Sequence, residues 1–219
     1  MAKEKSKTQY IFTELLHHLP FSIFGVCLGI VFMGVLTFIA TLAQANTGLF
    51  ASASGELFHV FHTSHVLLSA VATTAMFWKH DDRNIFKACL IGFLGSLMIC
   101  GISDIFFPYI GGLILGHEMN IHICLIKNPG TIFPFAIVGV LAGLAVTANF
   151  EKSTEYSHSA HVFVSSVASI LYLISFGLGD WIHSIGGVFL ITIFAVMIPC
   201  CASDIVFPLT CTHRDCKHT

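Results

Sequence analysis

Two short motifs place polar residues inside segments that are otherwise apolar. The first is His-x-x-His-Val, at residues 62–66 and again at 158–162. The second is Cys-x-x-Ser-Asp-Ile-x-Phe-Pro, at residues 100–108 and again at 200–208. An Asp in the middle of a membrane-spanning helix costs about 2.5–3.5 kcal/mol on the insertion scale. Its presence in both copies therefore indicates a functional role, because packing residues exchange readily for other apolar types.

The residue types in these motifs are those that bind metal ions. His, Cys and Asp are ligands for zinc and first-row transition metals. Residues three or four apart project from the same side of a helix, so each motif presents its polar groups together. We therefore predict two related metal sites, made of His62, His65, Asp104 and Cys100 in the first half and of His158, His161, Asp204 and Cys200 in the second. Ser103 and Ser203 are expected to hydrogen-bond the carboxylates and orient them.

Other groups of His, Cys and Glu are weaker candidates. His59 precedes the first motif by three residues and extends its set of ligands. His117, Glu118, His122 and Cys124 fall in a predicted loop, where they could capture a cation. The end of the chain adds a further group of soft or borderline ligands, Cys211, His213, Cys216 and His218. For any single residue, the alternative is a hydrogen-bonded packing group or an ordinary polar side chain.

The elements that carry these residues have the composition of membrane helices. Of 219 residues, 55% are hydrophobic and only 10% are charged, whereas soluble domains have about 25% charged residues. A spanning helix needs about 20 mostly apolar residues. Six stretches qualify: 21–43, 57–78, 88–107, 132–150, 162–178 and 182–208. We expect an all-α integral membrane protein with six transmembrane helices, preceded by an interfacial helix at 10–18.

The basic residues predict how these helices are oriented. If the N-terminus and C-terminus are cytoplasmic, nine of the ten Lys and Arg residues lie inside and only Lys127 lies outside, as expected for a plasma-membrane protein. A third repeated motif, Pro-Phe-x-Ile-x-Gly-Val, occurs at 20–26 and 134–140, at the start of the first helix of each half. Each half therefore contains three of the six predicted helices. Because three is odd, the second half must be upside down. This predicts a 3+3 inverted-topology repeat, an architecture that recurs in secondary transporters.

The repeat divides the chain into five parts. These are a cytoplasmic N-terminus with the interfacial helix (1–19), the first repeat (20–116), an outer loop (117–130), the second repeat (131–209) and a cytoplasmic Cys/His tail (210–219). The inversion places the first predicted metal site toward the outer face and the second toward the inner face. The two sites would then be stacked along one pathway.

These observations predict a transporter or channel for a divalent transition-metal cation, with zinc favoured, rather than an enzyme. The expected partners are the metal ion and the lipid bilayer, and homo-oligomerisation remains open. The net charge of −2 gives no bulk attraction to nucleic acid. The sequence has no GxxxxGK[ST] motif, so we expect no ATP site in this chain.

Two other functions use the same residue types. A membrane-embedded zinc-dependent hydrolase would activate water at the His and Asp residues, although the chain has neither HExxH nor GxSxG. A haem-binding membrane protein would ligate iron through histidines, usually from different helices. The His-x-x-His pairs lie on one helix each, which suits a compact ion better.

Overall fold

A computed structural model describes residues 7–80, 84–145 and 154–201, and all regular structure in these ranges is helical. The prediction of an all-helical chain is confirmed for these residues. The elements in chain order are α1 (Lys7–Leu42), α2 (Thr47–His80), α3 (Ile85–Gly101), a π-helical segment (Ile102–Phe106), α4 (Phe107–Ile114), α5 (Cys124–Lys127), α6 (Pro129–Ala145), α7 (Thr154–Phe176) and α8 (Ile185–Cys201).

Within the described ranges, three helices are long and apolar enough to cross a membrane: Leu19–Leu42, Thr47–Trp78 and Ile85–Ile114. They have 24, 32 and 30 residues, and at about 1.5 Å per residue each exceeds a hydrocarbon core of about 30 Å. The apolar stretches in α6, α7 and α8 are shorter, at no more than 17 residues each. The chain thus has the helices of a membrane protein. The total of six spans and their inversion remain predictions.

Two helices begin earlier than the sequence predicted. α1 begins at Lys7 and continues through Pro20, so the stretch expected as a separate interfacial helix is the first part of α1. α2 begins at Thr47 rather than at residue 57. Asn46 accounts for this start, because its Oδ1 accepts a hydrogen bond of 2.7 Å from the backbone N–H of Leu49. Such a side-chain cap satisfies a donor of the first turn that has no helical partner.

The helices of the two halves interlock. α1 packs on α7, α6 packs on α2, and α2 and α7 contact each other between them. Glycines allow the close approach: a Cβ on Gly25 of α1 would lie 2.7 Å from Cγ1 of Val162 on α7. Gly139 of α6 occupies the same place in the repeated Pro-Phe motif, and a Cβ there would lie 2.5 Å from the carbonyl oxygen of Leu67 on α2. Small residues at helix contacts are the usual packing mode in membranes.

α7 is the central helix of this arrangement. Its residues from Ser165 to Ile174 are buried on all sides, including polar Ser165, Ser166 and Ser169. A helix that is buried all round must be surrounded by other helices. The outward faces of the surrounding helices expose large apolar side chains, such as Phe38 at 63% and Phe86 at 76%. This pattern fits an apolar solvent, and it leaves the polar residues of α7 to interact inside the protein.

The glycine contacts predict a specific loss of stability. We expect Gly139→Ala to lower the midpoint of thermal unfolding in detergent micelles, because its Cβ would collide with backbone of α2 that cannot rotate away. The matched control is Gly34→Ala on α1, where no atom lies within 4 Å of the added Cβ. That variant should be neutral or slightly stabilising, since Ala favours helix more than Gly. Equal midpoints for the two variants would contradict the packing described.

Candidate metal centre

Asp104 lies in the middle of the π-helical segment and is completely buried. The segment closes with a hydrogen bond from the Phe107 N–H to the carbonyl of Ile102, five residues earlier. Pro108 follows and has no N–H, so in this register the Ser103 carbonyl, five residues earlier, lacks a backbone donor. The Ser169 hydroxyl of α7 donates to the Ser103 carbonyl instead, at 3.2 Å. The helix is thus widened at Asp104, and the Ser103 carbonyl beside it is hydrogen-bonded to α7.

The Asp104 carboxylate accepts hydrogen bonds from three side chains. Nδ1 of His62 and Nδ1 of His65 both point at its Oδ2, at 2.8 and 2.7 Å. Ser165 of α7 donates its hydroxyl to Oδ1 at 2.9 Å. An ionised carboxylate only accepts, so the geometry assigns a proton to Nδ1 of each imidazole, and in the neutral ring the lone pair is then on Nε2, facing away from the carboxylate.

This geometry gives Asp104 a different role from the predicted one. We expected the carboxylate to be a metal ligand beside the histidines, but it lies behind them, on the Nδ1 side. Carboxylates in this place fix the ring orientation of metal-binding histidines and raise their basicity. In a metal centre built on these imidazoles, Asp104 would therefore be a positioning residue and the ligands would be the Nε2 atoms, which face away from it.

The Nε2 side of His65 meets His161 of α7 and Cys200 of α8. Cys200 Sγ lies 3.6 Å from His65 Nε2, and the rings of His65 and His161 are 4.6 Å apart. One ligand atom from each of the three residues lies within 4.8 Å of the others, and all three residues are buried. Tetrahedral zinc with bond lengths of about 2.0–2.3 Å places its ligand atoms about 3.5 Å apart. We call His65, His161 and Cys200 the buried centre; they could hold a metal ion.

The buried centre combines residues that the sequence placed in two separate sites. His65 was assigned to an outer site, and His161 and Cys200 to an inner site. In the structure α2 and α7 contact each other, so His65 and His161 meet where the halves join. The expected separation along the membrane does not hold for these residues.

Serines connect the carboxylate to the thiol. Ser103 was expected to bind the Asp104 carboxylate, but its hydroxyl lies 2.8 Å from the Ser165 hydroxyl instead. Because Ser165 donates to Asp104, Ser103 is the donor of this bond. Ser165 also lies 3.7 Å from Cys200 Sγ. Ser165 was not among the predicted site residues, although it matches Ser69: each lies seven residues after the first His of its His-x-x-His motif.

A second group of ligands lies between α2 and the connection from α4 to α6. It consists of His59, His122 and Cys124, whose ligand atoms also lie within 4.8 Å of one another. His59 Nδ1 is 3.5 Å from Cys124 Sγ, and the two imidazole rings are 5.1 Å apart. Burial lowers the pKa of His122 and raises the pKa of Cys124 to about 12. We call these three residues the peripheral cluster.

The remaining predicted residues do not join either group or cannot be placed. His117 and Glu118 lie in the same connection as His122, and Cys100 is buried in α3, but within the described chain none of them belongs to the buried centre or the peripheral cluster. The other predicted side chains lie outside the described residues: His158, Ser203, Asp204, Cys211, His213, Cys216 and His218.

No protein-family model, curated protein or solved structure matches this chain.

The contacts of Asp104 predict a large effect of its removal. Asp104→Ala leaves three buried donors without an acceptor, and breaking a buried charged network typically costs about 3–5 kcal/mol. Asp104→Asn keeps one carbonyl oxygen and should cost less. The control is Asp180→Asn, which removes a carboxylate from an exposed pair with His183 and should leave stability unchanged. Chemical unfolding in micelles measures all three; similar values for Asp104→Ala and the control would refute the network.

Proposed function

We propose that this chain is a membrane transport protein for a divalent transition-metal cation, with zinc as the favoured ion. The observation that carries the proposal is the buried centre. It brings two imidazoles and one thiol from three helices within 4.8 Å of one another, at the junction between the two halves of the chain. A carboxylate behind His65 holds its ring so that Nε2 lies 3.6 Å from the Cys200 thiol.

The donor set supports a borderline divalent ion. Two imidazole nitrogens and a thiolate suit zinc well, and cobalt, nickel or iron less specifically, whereas magnesium and calcium prefer oxygen ligands. Structural zinc sites are usually closed by four protein ligands. The buried centre supplies three residues, and an ion held by three protein ligands retains a position for exchange. This feature supports release of the ion rather than permanent binding.

The row of histidines on α2 supports movement of the ion along the helix. His59, His62 and His65 follow one another at three-residue intervals, which corresponds to about 4.5 Å of rise per step. The first belongs to the peripheral cluster and the last to the buried centre. His62 lies between them, hydrogen-bonded to Asp104 and stacked on Phe58. A purely structural metal site would not need ligands spaced along the helix in this way.

The packing of the two halves supports an inverted repeat. The matching glycines Gly25 and Gly139 contact α7 and α2, which carry the two His-x-x-His motifs. Four residues further along, Gly29 and Gly143 contact the same two helices again. A two-fold relation of this kind, with a site at the interface of the halves, is the architecture of alternating access. With six spans and both termini in the cytoplasm, the connection from α4 to α6 would face the outside of the plasma membrane.

The geometry gives less support to the alternatives. A haem bound between His65 and His161 would need room for a porphyrin plane, and the two rings are only 4.6 Å apart. A hydrolase would present a nucleophile or base to its substrate. Asp104, Ser103 and Ser165 are instead completely buried and hydrogen-bonded to one another or to histidines.

Metal binding and flux test this function together. We expect purified wild type to bind Zn²⁺, Cys200→Ser and His65→Ala to bind it at least about ten-fold more weakly, and Asp104→Asn to lose about 10–100-fold because the imidazoles are no longer held. Cys27→Ser is the control, since Cys27 is exposed on α1 and belongs to neither group of ligands. Equilibrium dialysis with elemental analysis measures the affinities.

Flux then separates transport from storage. Vesicles that contain wild type or Cys27→Ser should take up Zn²⁺, reported by an enclosed fluorescent indicator, and vesicles with Cys200→Ser should not. Binding without uptake would leave a metal-binding membrane protein and reject transport. Equal Zn²⁺ affinity in wild type and Cys200→Ser would reject the buried centre itself.

A further inference from the structure

The peripheral cluster has a feature that points to a ligand of its own. Nε2 of His122 is buried and has no hydrogen-bond partner among the residues that the structure describes. Leaving a buried polar nitrogen without a partner costs about 1–3 kcal/mol, so proteins rarely tolerate it without a reason. The nearby His59 and Cys124 are also potential metal ligands, and their ligand atoms lie close enough to share one ion with His122.

The rest of the protein holds His122 in place. Its backbone N–H donates to the Tyr172 hydroxyl at 3.1 Å, and that hydroxyl donates to the Asn120 carbonyl at 3.3 Å. The Asn120 N–H donates in turn to the Phe176 carbonyl at the end of α7, at 2.7 Å. The His122 ring is stacked on the Phe176 ring with centroids 4.7 Å apart. The imidazole is thus oriented before any ion arrives, which reduces the entropy cost of binding.

The two remaining residues approach from different elements. His59 projects from α2, six residues before His65 of the buried centre, and Cys124 is completely buried at the start of α5. His59 Nδ1 lies 3.5 Å from Cys124 Sγ, which is close to the spacing of two ligands on one tetrahedral ion. Neither residue belongs to the buried centre. The peripheral cluster therefore shares no ligand with the buried centre.

We propose that His59, His122 and Cys124 form a second metal site, which binds a borderline divalent cation such as Zn²⁺ or Co²⁺. The site lies at the end of the histidine row on α2, and there it loads the ion before the ion reaches the buried centre. The loading role rests on the proposed transport function, whereas the site itself does not. Each binding event deprotonates the Cys124 thiol to a thiolate that bonds the ion, and the proton leaves to solvent. The thiolate selects against magnesium and calcium.

Cobalt titration tests the site directly, because a Co²⁺–thiolate bond gives a charge-transfer absorbance in the near ultraviolet. The tests use the full chain with Cys211 and Cys216 replaced by serine, so that the tail contributes no thiolate. This parent should bind two thiolate-linked Co²⁺ ions. Cys124→Ser should bind one fewer, Cys200→Ser should also bind one fewer, and Cys27→Ser should match the parent. Equal numbers of thiolate-linked ions in Cys124→Ser and the parent would overturn the proposal.

A second variant keeps the test decisive if Cys124→Ser fails to fold. His122→Ala leaves the thiol in place and removes the nitrogen that lacks a partner. We expect it to weaken Co²⁺ binding at one of the two ions by at least about ten-fold, with an unchanged elution volume on gel filtration. Full-strength binding of both ions by a folded His122→Ala would also overturn the site.

Uptake into vesicles tests the loading role separately. Cys124→Ser should raise the Zn²⁺ concentration needed for half-maximal uptake by about ten-fold or more, and the rate at saturating Zn²⁺ should remain measurable. An unchanged concentration dependence would overturn the loading role and leave the cobalt result standing. No uptake by the parent would reject transport, while the loss of one Co²⁺ in Cys124→Ser would still support the second site.

Discussion

The buried carboxylate of Asp104 is the group on which the rest of the site depends. A charge in an apolar interior is tolerated only when its hydrogen-bonding capacity is met, and here His62, His65 and Ser165 meet it. These partners come from α2 and α7, so one carboxylate connects three helices. The same bonds determine which nitrogen of each imidazole is available. The hydrogen bonds that stabilise the buried Asp104 carboxylate thus also orient His65, which belongs to the buried centre.

The local sequence prepares this position. Pro108 removes a backbone donor, the helix widens into a π-helical segment, and Ser169 supplies the missing hydrogen bond from α7. A regular α-helix through this region would not need a neighbouring hydroxyl. The segment therefore joins α3 and α4 to the centre of the protein at the residue that organises the histidines. α7 holds the π-helical segment by two hydrogen bonds: Ser169 donates to the backbone carbonyl of Ser103, and Ser165 donates to the side chain of Asp104.

The interlocked halves explain why the ligands meet at their junction. Glycines on α1 and α6 let these helices lie directly on the backbones of α7 and α2. α2 and α7 are thereby brought together, and His65 of α2 meets His161 of α7 at the junction. A site built between two halves changes when the halves move. A site within one half would not change in this way, and this difference links the packing to the proposed transport function.

The sequence by itself determined the helical class, the presence of helices long enough to span a membrane and the association of His62 and His65 with Asp104. These follow from local properties: the length of an apolar run, the spacing of two residues on one helix and the cost of a charge among apolar neighbours. Only the tertiary structure decided that Asp104 lies behind the imidazoles, that Cys200 and His161 join His65, and that His122 and Cys124 reach His59. Those contacts depend on where α2 and α7 cross and on the path of the connection after α4. Packing between residues that are far apart in the chain determines this crossing and this path. No local sequence pattern specifies the distance between such residues.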